Sequence, residues 1–143
     1  MKLKRCVVDA SVVLKLFFDE DLSGEADRAM RHIAEPLAPD LLWTEALNVV
    51  WKRARRGDLE HPAAAALANQ LLTLPLQTHA AVELLPDALD LALSLDRTVY
   101  DSLYLALAVR SQTPFLTADR MLVNALQNSA LKKHVLWLGA LKA

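Results

Sequence analysis

The stretch Cys6-Val7-Val8-Asp9-Ala10-Ser11 constrains this chain more than any other. A short β-rich run ends on an acid, a small residue and a hydroxyl residue. Apolar residues at helical spacing, Val12, Val13, Leu16 and Phe17, begin at once. A strand that passes into a helix with almost no loop opens a βα unit. It puts Asp9 at the carboxyl end of a buried strand, the edge where open α/β sheets gather their ligands. The remaining question is which residues return to meet Asp9.

Periodicity and breakers divide the rest of the chain. Asp19-Glu20-Asp21 makes a polar turn. A helix is predicted from Ser23 to about Ala34, with Ala26, Ala29, Met30 and Ile33 on one face. Leu37-Ala38, between two prolines, reads as a second strand. The longest helical pattern runs from Leu41 to Arg56 and is closed by Gly57, a residue suited to the left-handed position after a helix. Further helices are predicted over Pro62 to Leu72, Pro86 to Leu95, Thr98 to Arg110 and Asp119 to Gln127. Short strands fall at Leu76 to His79, Pro114 to Thr117 and Val135 to Leu138. Strands alternating with helices imply a parallel sheet covered on both faces.

At 143 residues with 54% apolar and 23% charged residues, the chain suits a single domain, 1–143, with a real core. A lone cysteine makes no internal disulfide, and Cys6 reads as a small buried hydrophobe. No apolar run reaches the length of a membrane span, and Asp9 and Lys15 interrupt any signal core, so a cytoplasmic protein with no membrane association is expected. The net charge of −1 offers no overall attraction to nucleic acid; a polyanion would need a local patch.

Four acids stand out by placement: Asp9 after the first strand, Glu45 inside the longest helix, Asp101 opening the most apolar helix, and Asp119 directly after the strand Phe115-Leu116-Thr117. Each also has a plain structural reading. Asp9 and Asp119 suit helix N-caps, Thr98-x-x-Asp101 resembles a capping box, and Glu45 would serve as an exposed helix residue.

These residues carry a resemblance. Val8-Asp9-Ala10-Ser11, Pro39 with Glu45 and Asn48-Val49, Tyr100-Asp101-Ser102-x-Tyr104-Leu105-Ala106-Leu107-Ala108, and Leu116-Thr117-Ala118-Asp119 resemble, in order, the motifs of PIN-domain nucleases. The likeness is greatest to the small VapC-type ribonuclease toxins of type II toxin–antitoxin systems. It implies a three-layer α/β/α, Rossmann-like fold on a short-stranded parallel sheet. It implies a magnesium or manganese site with Asp9 and Asp101 as main ligands, and Glu45 and Asp119 as supporting ligands or water-holders. Ser11, Asn48 and Thr117 would orient those carboxylates. The implied reaction is endonucleolytic cleavage of RNA by a homodimer, inhibited by a cognate antitoxin.

The chemistry agrees with that implication, since hard divalent cations take oxygen ligands and keep several waters. His32, His61, His79 and His134 are scattered and form no acid–base pair. The basic cluster Lys52, Arg53, Arg55 and Arg56 either binds RNA phosphates or complements its helix dipole, with Lys15, Arg97 and Arg120 as further phosphate candidates. Trp43 and Trp51 read as core or subunit interface rather than base-stacking platforms. The alternative is a catalytically inactive PIN-like module that binds RNA or protein. A dehalogenase-like phosphatase is disfavoured by Ser11, where a second Asp is wanted, and a receiver domain by the mid-helix position of Glu45.

Overall fold

The computed structural model describes residues 3–141. Strands β1 (Leu3–Val8), β2 (Ile33–Pro39), β3 (Gln77–His79), β4 (Phe115–Thr117) and β5 (Val135–Trp137) form one sheet, ordered β3-β2-β1-β4-β5, with every pairing parallel. Helices α1 (Ala10–Leu14), α2 (Ser23–His32), α3 (Leu41–Arg55), α4 (His61–Leu71), α5 (Ala81–Leu95), α6 (Val99–Ser111) and α7 (Arg120–Ala125) complete a three-layer α/β/α arrangement.

Strand β1 is central, with Cys6, Val7 and Val8 fully buried, as a parallel strand covered on both faces requires. Burial pushes the Cys6 thiol up to about 12, so it stays protonated and inert. Helix α6 packs on β1, β2 and β4, and α5 lies over it. Its buried run Ser102–Ala108 explains why the sequence there is apolar on every side.

Three boundaries differ from the sequence reading. Helix α2 stops at His32, and Ile33 begins the strand. Pro36 accounts for this, because a helix through it would set its ring against the carbonyl of His32 and push Glu35 out of the helical region. Helix α5 begins at Ala81, not Pro86, and carries Pro86 inside it. A proline inside a helix costs about 3 kcal/mol. Burial of Leu84 offsets it, and the Asp40 carboxylate accepts from the Ala81 N–H at 3.0 Å to start the helix early. Helix α7 is shorter than expected, ending at Ala125. Gly57 behaves as the pattern requires, with φ +88° just past the end of α3.

The sheet reverses its order of addition at β1: the chain builds outward to β2 and β3, then returns to β4 and β5 on the other side. The carboxyl ends of β1 and β4 therefore flank a topological switch point, where a crevice opens between diverging connections.

Candidate active site

Asp9 leaves β1 at that switch point, held by its own N–H on the Leu116 carbonyl at 3.0 Å. It occupies the N-cap position of α1 but makes no side-chain cap. Its Oδ2 instead accepts from Thr117 Oγ1 at 2.7 Å and from Ser11 Oγ at 3.0 Å. Each hydroxyl is fixed in turn: Ser11 Oγ accepts from the Ala118 N–H at 3.1 Å, and Thr117 Oγ1 from the Asp119 N–H at 3.0 Å. One carboxylate oxygen is thus anchored by two oriented donors, and the other is left over. Burial raises the Asp9 pKa; the two hydroxyls oppose that rise and the Asp101 charge adds to it.

Glu45 reaches the same space from α3. Its Oε1 accepts from the Tyr104 hydroxyl at 2.6 Å, a short bond typical of an ionised acceptor. Its pKa is raised first by burial, lowered by Tyr104, and raised again by the charges of Asp9 and Asp101. Burial, with the negative charges of Asp9 and Glu45, likewise pushes the Tyr104 phenol far up, so it remains a donor. Tyr104 is 2% exposed and stacked on Phe115 with centroids 5.4 Å apart. The sequence reading assigned it no role. Its position one turn beyond Asp101, on the same face of α6, was the available clue.

Asp101 does not complete a capping box. Thr98 caps α6 by accepting from the Asp101 N–H at 3.1 Å, while the Asp101 side chain pairs with Arg97 Nη2 at 3.2 Å. Asp119 is an N-cap, as its plain reading held: its Oδ1 accepts from the Leu122 N–H at 3.1 Å, and it connects to Asp9 through Thr117. Three of the acids therefore share an electrostatic environment, and the fourth stands at its margin with one oxygen committed to α7.

Asn48 is exposed, one turn beyond Glu45 on α3. The basic cluster is divided. Arg53 pairs with Glu20 at 2.7 Å and lies over Phe18 at 3.9 Å, Arg55 stacks on Trp51 at 5.4 Å, and Arg56 pairs with Asp58 at 3.0 Å. Lys52 is exposed. Lys15 shares Glu20 with Arg53, and Arg120 lies over Trp137 at 4.5 Å. Trp43 packs against the buried apolar core, whereas Trp51, at 53% exposed, is not core in this chain.

Hydroxyl-anchored carboxylates at the β1–β4 switch point of a short parallel sheet define a class, and the match to the PIN domain family model over residues 6–125 agrees: the chain belongs to the PIN-domain family, in its VapC branch. Ribonuclease VapC3 of Pyrobaculum aerophilum is 39% identical over 120 residues, which span 82% of this chain and 92% of that one. The crystal structure of PAE2754, also from Pyrobaculum aerophilum, superposes with a TM-score of 0.73 at 25% identity, covering 96% of this chain and 86% of the other. A toxin–antitoxin complex from Klebsiella pneumoniae shares the fold at a TM-score of 0.63 and 14% identity, over 93% of this chain and 97% of that one. Mycobacterium tuberculosis VapC20, described as a sarcin-ricin loop cleaving toxin, shares it at 0.60 and 18%, over 75% of this chain and 83% of its own.

Proposed function

We propose that this chain is a metal-dependent endoribonuclease, acting in the cytoplasm as the toxin of a toxin–antitoxin pair. The observation that carries the reading is the nearness of three acids whose charges act on one another: Asp101 raises the Asp9 pKa, and Asp9 and Asp101 together raise that of Glu45. Kinship to a ribonuclease and to a structure solved as a toxin–antitoxin complex supports it.

The donor chemistry fits magnesium or manganese. Asp9, Glu45 and Asp101 each commit one oxygen to a protein donor, which leaves one hard oxygen per residue. No three His, Cys, Asp or Glu side chains among the described residues stand close enough to enclose an ion by themselves. Asp9 and Asp101 would hold the ion, with Glu45 and Asp119 acting through water, as suits a cation that keeps much of its hydration. When bound, such an ion lowers the pKa of a water and stabilises charge on phosphodiester oxygens.

The protein's own residues do the rest. Ser11 and Thr117 hold the Asp9 carboxylate in one orientation, and Tyr104 does the same for Glu45, which serves to accept a proton from an attacking water. Lys52, Arg55 and Arg56 lie on the exposed end of α3 and would bind RNA phosphates, whereas Arg53 is engaged within the fold. The active form is a homodimer, each chain forming one PIN unit over 1–143, and a cognate antitoxin blocks the acidic crevice.

The test is cleavage of total cellular RNA by antitoxin-free protein with magnesium or manganese, with chelator, and with Asp9→Asn/Asp101→Asn as control. Discrete fragments that need both the ion and the acids support the reading. Absence of cleavage beyond the double variant moves the assignment to an inactive RNA- or protein-binding module.

A further inference from the structure

Arg97 stands in an unusual position. Its backbone is fixed between two helices: Asp96 takes the left-handed conformation at the end of α5, the Arg97 N–H closes that helix on the Ala92 carbonyl at 3.3 Å, and Thr98 immediately caps α6. From this anchored point its guanidinium turns over the first turn of α6 to Asp101. No other cation among the described ion pairs touches Asp9, Glu45 or Asp101.

The contact is weak in form. It is a single N–H···O bond, Nη2 to Oδ2 at 3.2 Å, not the two-pronged fork that gives arginine–carboxylate pairs their strength. Arg97 Nε is meanwhile buried without an acceptor, a cost that persists while the side chain stays in this pose. The two side chains are 27% and 31% exposed, so solvent screens the pair further. A single, partly exposed contact of this form yields readily to a competing cation.

We infer that Arg97 is an internal counter-ion that competes with the divalent cation for the charge of Asp101, holding one of its oxygens and opposing a metal ion at the other. This rests on the ion-binding reading above and goes beyond it, because it makes Arg97 a brake on metal occupancy rather than a phosphate ligand. The brake raises the concentration of free cation at which the site fills.

The experiment is calorimetric titration of metal-free protein with manganese alone, paired with melting in chelator, for wild type, Arg97→Gln, Arg97→Lys and Asp9→Asn. Arg97→Gln should bind manganese about three- to tenfold more tightly, from loss of the competing pair and of cation–cation repulsion, while melting lower in chelator. Arg97→Lys, which keeps the charge but changes the reach, should fall between it and wild type and guards against a folding defect in the first variant. Unchanged or weaker binding by a folded Arg97→Gln, with wild type binding through Asp9, overturns the counter-ion and leaves the metal site standing. If neither wild type nor Arg97→Gln binds manganese, or if binding is indifferent to Asp9→Asn, the metal site itself fails and the counter-ion with it.

Discussion

Tyr104→Phe isolates one bond at the site, because the ring and its stacking on Phe115 are retained and only the hydroxyl is removed. The bond is short, 2.6 Å, and its acceptor is the Glu45 carboxylate. A hydrogen bond to a charged group contributes about 1.5–3 kcal/mol. Glu45 is only half-buried, and water replaces part of the missing donor, so the expected destabilisation is about 1–2 kcal/mol near neutral pH. For a chain of this length that is a fall of about 3–7 °C in Tm.

The pH dependence is the sharper test. Burial holds the Glu45 pKa above its ordinary 4.5, and the Tyr104 bond pulls it part of the way back. Removing the hydroxyl raises the folded-state pKa further, so the folded variant takes up a proton at higher pH than wild type does. The deficit should therefore be full where Glu45 is ionised in both proteins, and shrink as the pH falls through the weakly acidic range. Thermal unfolding of both proteins in chelator at mildly alkaline and mildly acidic pH measures it. An equal deficit at both would show that the Tyr104 hydroxyl does not serve the Glu45 carboxylate, and would refute the reasoning.

Asp9→Asn should stabilise the metal-free protein. The raised Asp9 pKa means that stability falls as pH rises above the ordinary value of 3.8 and stays low once the group is ionised, so a neutral amide recovers stability at neutral pH, visible as a higher melting point in chelator. Thr117→Val keeps the shape but removes a donor to Asp9 and the acceptor for the Asp119 N–H; denaturant unfolding should show a loss of about 1–3 kcal/mol. Lys52→Ala should raise KM for RNA and flatten the dependence of log binding on log salt by roughly 0.7 for the one phosphate no longer neutralised, with kcat unchanged. Arg53→Ala should instead lower the melting point, since it removes the bridge from α3 to Glu20 and Phe18.

Pattern alone determined the elements of this protein and the edge where its chemistry lies. Those features depend on residues close in sequence: a β-rich run meeting helical spacing at Asp9, a left-handed glycine after α3, and the Asp119 cap of α7. Local sterics and near-neighbour hydrogen bonds decide such things before any tertiary contact forms. Where local rules conflict, the fold decides. Pro86 reads as a helix start, yet α5 begins upstream because Leu84 has a core to enter and Asp40, 41 residues away, supplies the first acceptor.

The site depends still more on tertiary structure. Thr117 meets Asp9 across 108 residues and Tyr104 meets Glu45 across 59, and no spacing rule predicts which hydroxyl faces which carboxylate. Asn48 shares a helix with Glu45 but faces solvent, and the basic cluster separates into pairs that look inward and side chains that look out. The sequence by itself determined that acids gather at the carboxyl edge of a parallel sheet. Only the tertiary structure decided which oxygens are committed and which remain for a ligand, because that choice rests on packing between elements distant along the chain.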